Sequence, residues 1–107
     1  MPFTTLCELS ELEPGKGKYV EIGGFQLAVF LSNDQVFVMD NYCPHAGGNL
    51  AGGEVRDGCA VCPWHNWAFR LETGQLRDAP GVAVSTYPVR IHEYQGRKLV
   101  QAELPGY

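Results

Sequence analysis

The chain has 107 residues, of which 45% are hydrophobic and 19% are charged, and its formal net charge at pH 7 is −4. This length and composition are typical of a single globular domain, 1–107, and exclude a disordered chain. The acidic balance argues against a nucleic-acid partner, because such partners select basic surfaces.

The N-terminal segment and the hydropathy indicate where the protein is located. Residues 1–15 contain neither a basic leader nor an apolar core of a signal peptide. The longest apolar run, 27–31, is too short to span a bilayer. We therefore expect a cytoplasmic protein that does not contact a membrane. In that compartment the four cysteines indicate metal ligands or thiols rather than disulfides.

Short apolar or alternating runs, each closed by turn residues, predict an all-β fold. Ser10 and Glu13 first predict one capped helical turn, which ends at Pro14-Gly15. The predicted strands, in chain order, are 18–22, 25–31, 36–40, 86–92 and 98–103. The turns predicted between them are Gly23-Gly24, Asn33-Asp34 and Gln95-Gly96.

The middle of the chain has a different composition. Gly, Pro, Cys, His and Trp are concentrated between residues 41 and 81. We expect the β-segments 19–40 and 87–103 to form a small sandwich or barrel, with a loop-rich sub-domain of about 41–81 mounted on it. Such a division places a loop-built site on a rigid scaffold.

Two short motifs in this middle segment carry metal-ligand chemistry. They are Cys43-Pro44-His45 and Cys62-Pro63-Trp64-His65, with 16 residues between His45 and Cys62. Two thiolates and two imidazoles suit either zinc or an iron–sulfur cluster. Structural zinc sites more often use Cys-x2–4-Cys or His-x3–5-His pairs. A zinc-binding structural or interaction module therefore remains the less favoured alternative.

The arrangement C-x-H…C-x2-H resembles the signature of the Rieske [2Fe–2S] family. Residues 41–45 with the following glycines look like that family's first cluster loop, and CPWHNWAFRLETG at 62–74 looks like the second. Ala79-Pro80-Gly81 stands where the third loop covers the cluster. The resemblance implies a Rieske-type antiparallel β-sandwich with a small cluster-binding sub-domain.

The resemblance also implies a site. In the family each of the two loops gives its cysteine to one iron and its histidine to the other. The implied ligands of one [2Fe–2S] cluster are Cys43, His45, Cys62 and His65. Four further residues are expected to contribute to cofactor binding. Gly47 and Gly48 would donate backbone N–H groups to the cluster, unless they only form an ordinary turn. Trp67 would shield the cluster from water, unless it only packs in the core, and Pro80 would cover the cluster.

Three chemically notable residues lie outside the motifs. We expect Cys7 and Cys59 to be buried or edge thiols, since a strand through 58–61 would direct Cys59 away from the loop tip. His92 lies in a predicted strand, where it would be a surface or core histidine.

The resemblance implies one-electron transfer. We expect no catalytic residues, because no residue in the sequence looks like a nucleophile or general base beside a substrate pocket. The partner would be a larger redox protein, as reductase or terminal acceptor. Respiratory Rieske proteins have two further cysteines where this chain has Gly48 and Trp64. They also have Ser and Tyr hydroxyls, five and seven residues after the second-loop cysteine, where this chain has Trp67 and Phe69. We therefore expect a reduction potential at the low end of the family's range.

Two soluble types of Rieske protein fit this pattern. The run 62–74 followed by VSTYPV at 84–89 favours the small subunit of an NAD(P)H-dependent nitrite reductase. The alternative is the ferredoxin component of an aromatic-ring-hydroxylating dioxygenase.

Overall fold

The computed structural model describes residues 3–42, 48–63, 66–79 and 81–106, and their regular structure consists of β-strands and two 3₁₀ helices. The strands are β1 (Phe3–Glu8), β2 (Gly17–Ile22), β3 (Phe25–Ser32), β4 (Gln35–Asp40), β5 (Glu54–Arg56), β6 (Cys59–Val61), β7 (Ala68–Arg70), β8 (Thr86–Tyr87), β9 (Val89–Tyr94) and β10 (Arg97–Glu103). The 3₁₀ helices are Leu9–Glu11 and Leu50–Gly52. The predicted all-β class is confirmed. Within these ranges no helix is long and apolar enough to cross a membrane.

The strands form three antiparallel sheets. Their strand orders are β1-β10-β9, β2-β3-β4-β8 and β5-β6-β7. The third sheet lies within the segment where a loop-rich sub-domain was expected. The sheet β2-β3-β4-β8 lies between the other two, because its two faces belong to different hydrophobic cores.

Strand β3 explains this layering from its sequence. Leu27 and Val29 face a core shared with β1 and β10, here called the scaffold core. Ala28 and Phe30 face the opposite way, into a core shared with β6 and β7, here called the site core. A strand buried on both faces reads as a continuous apolar run rather than an alternating one, as residues 27–31 do.

The scaffold core consists of Cys7, Leu12, Leu27, Val29, Val38, Val100, Ala102 and Leu104. The site core consists of Ala28, Phe30, Met39, Leu50, Ala51, Ala60, Cys62, Phe69, Leu71, Leu76 and Val84. The candidate ligand Cys62 is therefore part of the site core.

All three predicted two-residue turns are confirmed. Gly23-Gly24, Asn33-Asp34 and Gln95-Gly96 have positive φ at both positions, as does Asp57-Gly58, which was not predicted. Such turns match the twist of the strands that they join, and glycine, asparagine and aspartate tolerate this conformation best. Because these turns are placed correctly, four predicted strands agree with β2, β3, β4 and β10 to within one residue at each end.

Two local predictions are wrong. The helical turn is Leu9–Glu11, and the backbone N–H of Glu8 donates to the Glu11 carboxylate at 2.8 Å, so the cap lies two residues earlier than the predicted Ser10–Glu13 pair. The predicted strand 86–92 is two strands separated by Pro88, of which β8 pairs with β4 and β9 pairs with β10. Proline has no N–H for a ladder, and the chain changes sheets there.

The buried thiol of Cys7 makes the scaffold core sensitive to alkaline pH. Burial, with a smaller contribution from the negative charge of Glu11 and opposed by Lys18, raises the pKa of Cys7 from 9.0 to about 11. The folded state thus holds this proton to higher pH than the unfolded chain. The associated stability is complete below pH 9 and is lost as pH rises through about 11.

We expect this single group to account for about 2–3 kcal/mol of alkaline destabilisation. Urea unfolding of the wild type and of Cys7→Ala measured between pH 9 and pH 11 tests the expectation. The variant should lose less stability across this interval than the wild type. Parallel pH profiles would show that Cys7 does not titrate in this way.

Candidate metal centre

The structure describes part of the predicted site. The predicted residues Cys43, His45, Gly47, His65 and Pro80 lie outside the described residues. Gly48, Cys62 and Trp67 lie within them, together with the stems of all three predicted loops. The described part of the site therefore consists chiefly of Cys62 and the contacts that close each loop.

The second loop leaves the hairpin of β6 and β7. The last paired residues of the hairpin are Val61 and Ala68. Beyond them the backbone N–H of Cys62 donates to the carbonyl oxygen of Trp67 at 2.7 Å, and Asn66 takes a left-handed φ of 57° that lets the chain return. The side chain of Cys62 is fully buried, so this loop holds a thiol at its base, inside the protein.

The two cysteines of Cys59-x2-Cys62 point to opposite sides of β6. Cys59 and Val61 pack with Ala68 in a small cluster, whereas Ala60 and Cys62 face the site core. Successive side chains of a strand alternate between its faces, so residues three apart are directed oppositely. A dithiol site made by this pair is therefore incompatible with the strand geometry.

The other notable residues also lie away from Cys62. Cys7 and Cys59 are buried thiols outside any disulfide, as predicted. His92 is exposed on β9 and stacks on Tyr94, with ring centroids 6.4 Å apart. It is a surface histidine, one of the two outcomes expected for it.

The stem of the first loop is held by Asn41, which is only 8% exposed. Its carbonyl oxygen accepts the backbone N–H of Leu50 at 3.0 Å, and its side-chain oxygen accepts that of Ala51 at 2.7 Å. Tyr42 and Asn49 then form an isolated antiparallel bridge. The two ends of the first loop are thereby fixed to each other and to the 3₁₀ helix Leu50–Gly52.

The predicted third loop has a closed stem as well. The backbone N–H of Leu76 donates to the Val82 carbonyl at 2.8 Å, and that of Val84 donates to the Gly74 carbonyl at 2.9 Å. The tip between these pairs contains Ala79 and Gly81, both exposed. Residues 74–76 and 82–84 therefore form a closed stem where a covering loop was expected.

Two aromatic side chains pack in or against the site core that contains Cys62. Phe69 is fully buried, and Trp67 is half-buried and packs against the same core. Their ring centroids are 6.5 Å apart. Phe69 therefore serves as core packing, and core packing is also what the structure shows for Trp67.

These features fit an iron–sulfur cluster. The Cys62 thiol, a soft donor, lies in apolar surroundings at the base of a closed loop, and the stem of the first loop is anchored to the same core. Among the described residues alone, no group of three or more His, Cys, Asp or Glu could hold a metal ion. The donor set predicted from sequence combines Cys62 with residues outside that part of the chain.

Comparison with known proteins identifies the family to which the chain belongs. The family model described as Rieske [2Fe–2S] domain matches residues 3–88. The chain therefore belongs to the Rieske [2Fe–2S] family. As a Rieske domain it binds a [2Fe–2S] cluster and functions in electron transfer, which favours the iron–sulfur interpretation of the motifs over zinc.

Similar proteins include small redox proteins and much longer enzymes. A structure described as the small subunit of an NADH-dependent nitrite reductase from Mycobacterium tuberculosis is 30% identical, has a TM-score of 0.84, and matches over 96% of both chains. The ferredoxin of Sphingomonas yanoikuyae B1 is 29% identical, has a TM-score of 0.79, and matches over 92% of this chain and 97% of its own. The Rieske fold predicted from the sequence is thereby confirmed.

A curated relative, cholesterol 7-desaturase nvd of Drosophila melanogaster, is 44% identical over 77 residues. The match covers 70% of this chain but 18% of the relative. The match therefore spans less than a fifth of the length of that relative.

Proposed function

We propose that Cys43, His45, Cys62 and His65 hold the cluster, and that the chain passes single electrons to and from a larger redox protein. The observation that carries this proposal is the burial of Cys62 at the closed base of the second loop, in the core that also anchors the first loop. Electrons would cross the surface around His45 and His65. Tyr42, which is 61% exposed beside the first loop, would lie at the edge of that surface.

The ligand set accounts for the chemistry that such a cluster supplies. The formal charges of two ferric ions, two sulfides and two thiolates cancel, whereas four thiolates leave the centre two charges more negative. The less negative centre accepts an electron more readily, and histidine ligation accordingly raises the potential. The protein's own contribution is to hold the ligands and to exclude water with the site core.

As the particular function, we propose the small subunit of an NAD(P)H-dependent nitrite reductase. The sequence runs at 62–74 and 84–89 and the similarity to the Mycobacterium tuberculosis protein over 96% of both chains support this choice. The second candidate is the ferredoxin component of an aromatic-ring dioxygenase, supported by the similarity to the Sphingomonas ferredoxin. In either case the exchange would take place in the cytoplasm.

Metal analysis and EPR test the ligand proposal. The purified protein should contain two irons and two acid-labile sulfides, and its reduced form should give a rhombic signal typical of mixed Cys/His ligation. Two irons with an EPR signal of four-cysteine ligation would contradict the histidine assignments. One equivalent of zinc in a colourless protein would contradict the proposal as a whole.

Co-purification from the source cell tests the proposed partner. A nitrite reductase large subunit should remain bound to the tagged chain, and the reduced chain should be oxidised by that complex when nitrite is added. The isolated chain with NAD(P)H and nitrite should show no turnover. Oxidation instead by a dioxygenase oxygenase component would favour the second candidate.

Phe69→Tyr should raise the reduction potential by some tens of millivolts. Phe69 is fully buried in the core that contains Cys62, so an added hydroxyl has an apolar environment and a sulfur ligand within the same core. A hydrogen bond to sulfur stabilises the reduced, more negative state, and a charge-assisted bond of about 1.5–3 kcal/mol corresponds to at most roughly 60–130 mV. The wild-type potential itself should lie at the low end of roughly −150 to +300 mV.

Phe30→Tyr is the matched control, because Phe30 is equally buried in the same core but lies on β3, whereas Phe69 lies on the β6–β7 hairpin that leads into the Cys62 loop. It should lower stability without moving the potential. Voltammetry of the two variants checks the prediction. Equal potentials for Phe69→Tyr and the wild type would mean that the hydroxyl reaches no sulfur.

A further inference from the structure

The 3₁₀ helix Leu50–Gly52 joins the stems of the two ligand loops. At its start, two backbone N–H groups of the helix donate to Asn41 at the base of the first loop. At its end, the backbone N–H of Gly53 donates to the Leu50 carbonyl at 3.0 Å. The chain then enters β5, and at this point Gly53 lies directly against the second loop.

Gly53 contacts the two residues that flank Cys62. A Cβ atom on Gly53 would lie closer than 3.0 Å to the carbonyl oxygen of Val61, 3.1 Å from its carbonyl carbon and 3.2 Å from Cδ of Pro63. The Val61 atoms are backbone, and they belong to the residue whose carbonyl carbon is bonded to the nitrogen of Cys62. A side chain at position 53 would therefore displace the segment that carries the thiol.

Glycine is required at position 53 because a Cβ atom has no room there, and not because of the backbone conformation. Gly53 has φ −90° and ψ −163°, which any L-amino acid adopts. The adjacent Gly52 differs, because a Cβ there would first meet Nδ2 of Asn49 at 3.3 Å, at the end of an exposed side chain. That amide can rotate away, so alanine is tolerable at position 52 and not at position 53.

We infer that Gly53 is a positioning residue for the cluster: its missing side chain lets the 3₁₀ helix seat the Cys62 loop at a fixed distance from the first loop. This inference rests on the proposed ligand role of Cys62. The helix is also held by β2, where a Cβ on Gly17 would lie 2.7 Å from backbone atoms of Ala51. Displacement at Gly53 would consequently be transmitted to the loop rather than absorbed by the helix.

The test compares Gly53→Ala with the matched variant Gly52→Ala and with the wild type, each loaded with its cluster. We expect Gly53→Ala to have shifted EPR g values and to lose its visible absorbance several times faster in the presence of an iron chelator. Gly52→Ala should match the wild type in both measurements. Val100→Ala, a truncation in the scaffold core, should lower the unfolding temperature and leave the g values unchanged.

The outcomes separate this inference from the ligand proposal. Unchanged g values and bleaching rate in Gly53→Ala, or equal changes in Gly52→Ala, would overturn the positioning role. So would loss of the β-sheet circular dichroism of Gly53→Ala before loading, since glycine would then be needed for the fold as a whole. A wild-type signal without mixed Cys/His ligation would instead overturn the ligand assignment, and the inference with it.

Discussion

Replacement of Cys62 by serine should abolish binding of the [2Fe–2S] cluster, whereas replacement of Cys59 by alanine should leave the cluster content unchanged. Both thiols are fully buried and lie three positions apart, but they face different clusters of side chains on opposite faces of β6. A serine hydroxyl fills nearly the same space as the thiol but is a harder and much less acidic ligand. The comparison thus isolates ligand chemistry from packing.

Loss of the cluster should also loosen the segments that are fixed to it, because metal binding is coupled to the folding of its ligand loops. In Cys62→Ser we expect faster amide hydrogen exchange in residues 48–53 and at residues 62, 66 and 67. Amides of β3 and β10 should keep their protection, since these strands belong to the two sheets that enclose the scaffold core. Iron analysis, visible spectra and hydrogen-exchange mass spectrometry provide the measurements.

Cys59→Ala serves as the control for buried-thiol removal in general. We expect it to cost about 1 kcal/mol of stability, as small truncations in a core do, with a normal spectrum. A bleached Cys59→Ala protein, or a Cys62→Ser protein with two irons and an unchanged EPR signal, would show that the wrong thiol had been assigned.

The hairpins could be predicted from sequence because their signals are local. A dipeptide such as Gly23-Gly24 sets the turn type, the turn sets the register, and the flanking strands follow. The two motifs of candidate ligands stand out in the sequence for the same reason, since each Cys and His pair lies within four consecutive residues. The alternation that directs Cys59 away from Cys62 also needed only the period of a strand.

Features that depend on distant residues could not be read in this way. Strand β1 pairs with β10, so Phe3 lies opposite Glu103, and its residues give no strong pattern of their own. The chain changes sheets at Pro88 because β8, before the proline, pairs with β4, whereas β9, after it, pairs with β10. In both cases the pairing with a distant strand, and not the local β-propensity, determines where the strand forms.

The supporting residues of the site were missed for a related reason. Asn41 stands at the junction of a predicted strand and the first motif, and Gly53 ends a Gly-Gly pair that reads as an ordinary turn. Their roles depend on what they contact across the chain, Ala51 for one and Val61 for the other. A polar residue two positions before the first cysteine of a ligand motif, or a glycine pair that directly follows a buried pair such as Leu50 and Ala51, is the signal that could have indicated them.

Asn41→Ala should destabilise the protein by about 1–3 kcal/mol and make the cluster markedly more labile. The substitution removes the acceptor at 2.7 Å from the backbone N–H of Ala51. That N–H belongs to a residue only 8% exposed, so it would be left buried without its partner, which costs more than the net worth of the bond. The 3₁₀ helix and the end of the first loop would lose a shared anchor.

Asn49→Ala is the matched control, since Asn49 borders the same loop, is exposed, and makes no side-chain capping bond to the 3₁₀ helix. It should change stability by less than about 0.5 kcal/mol, as surface substitutions usually do. Urea unfolding gives the stabilities, and the rate of bleaching by a chelator gives the lability. If Asn41→Ala lowered stability but bleached no faster than Asn49→Ala, Asn41 would support the fold alone, because an anchor of the ligand loop has to affect both quantities together.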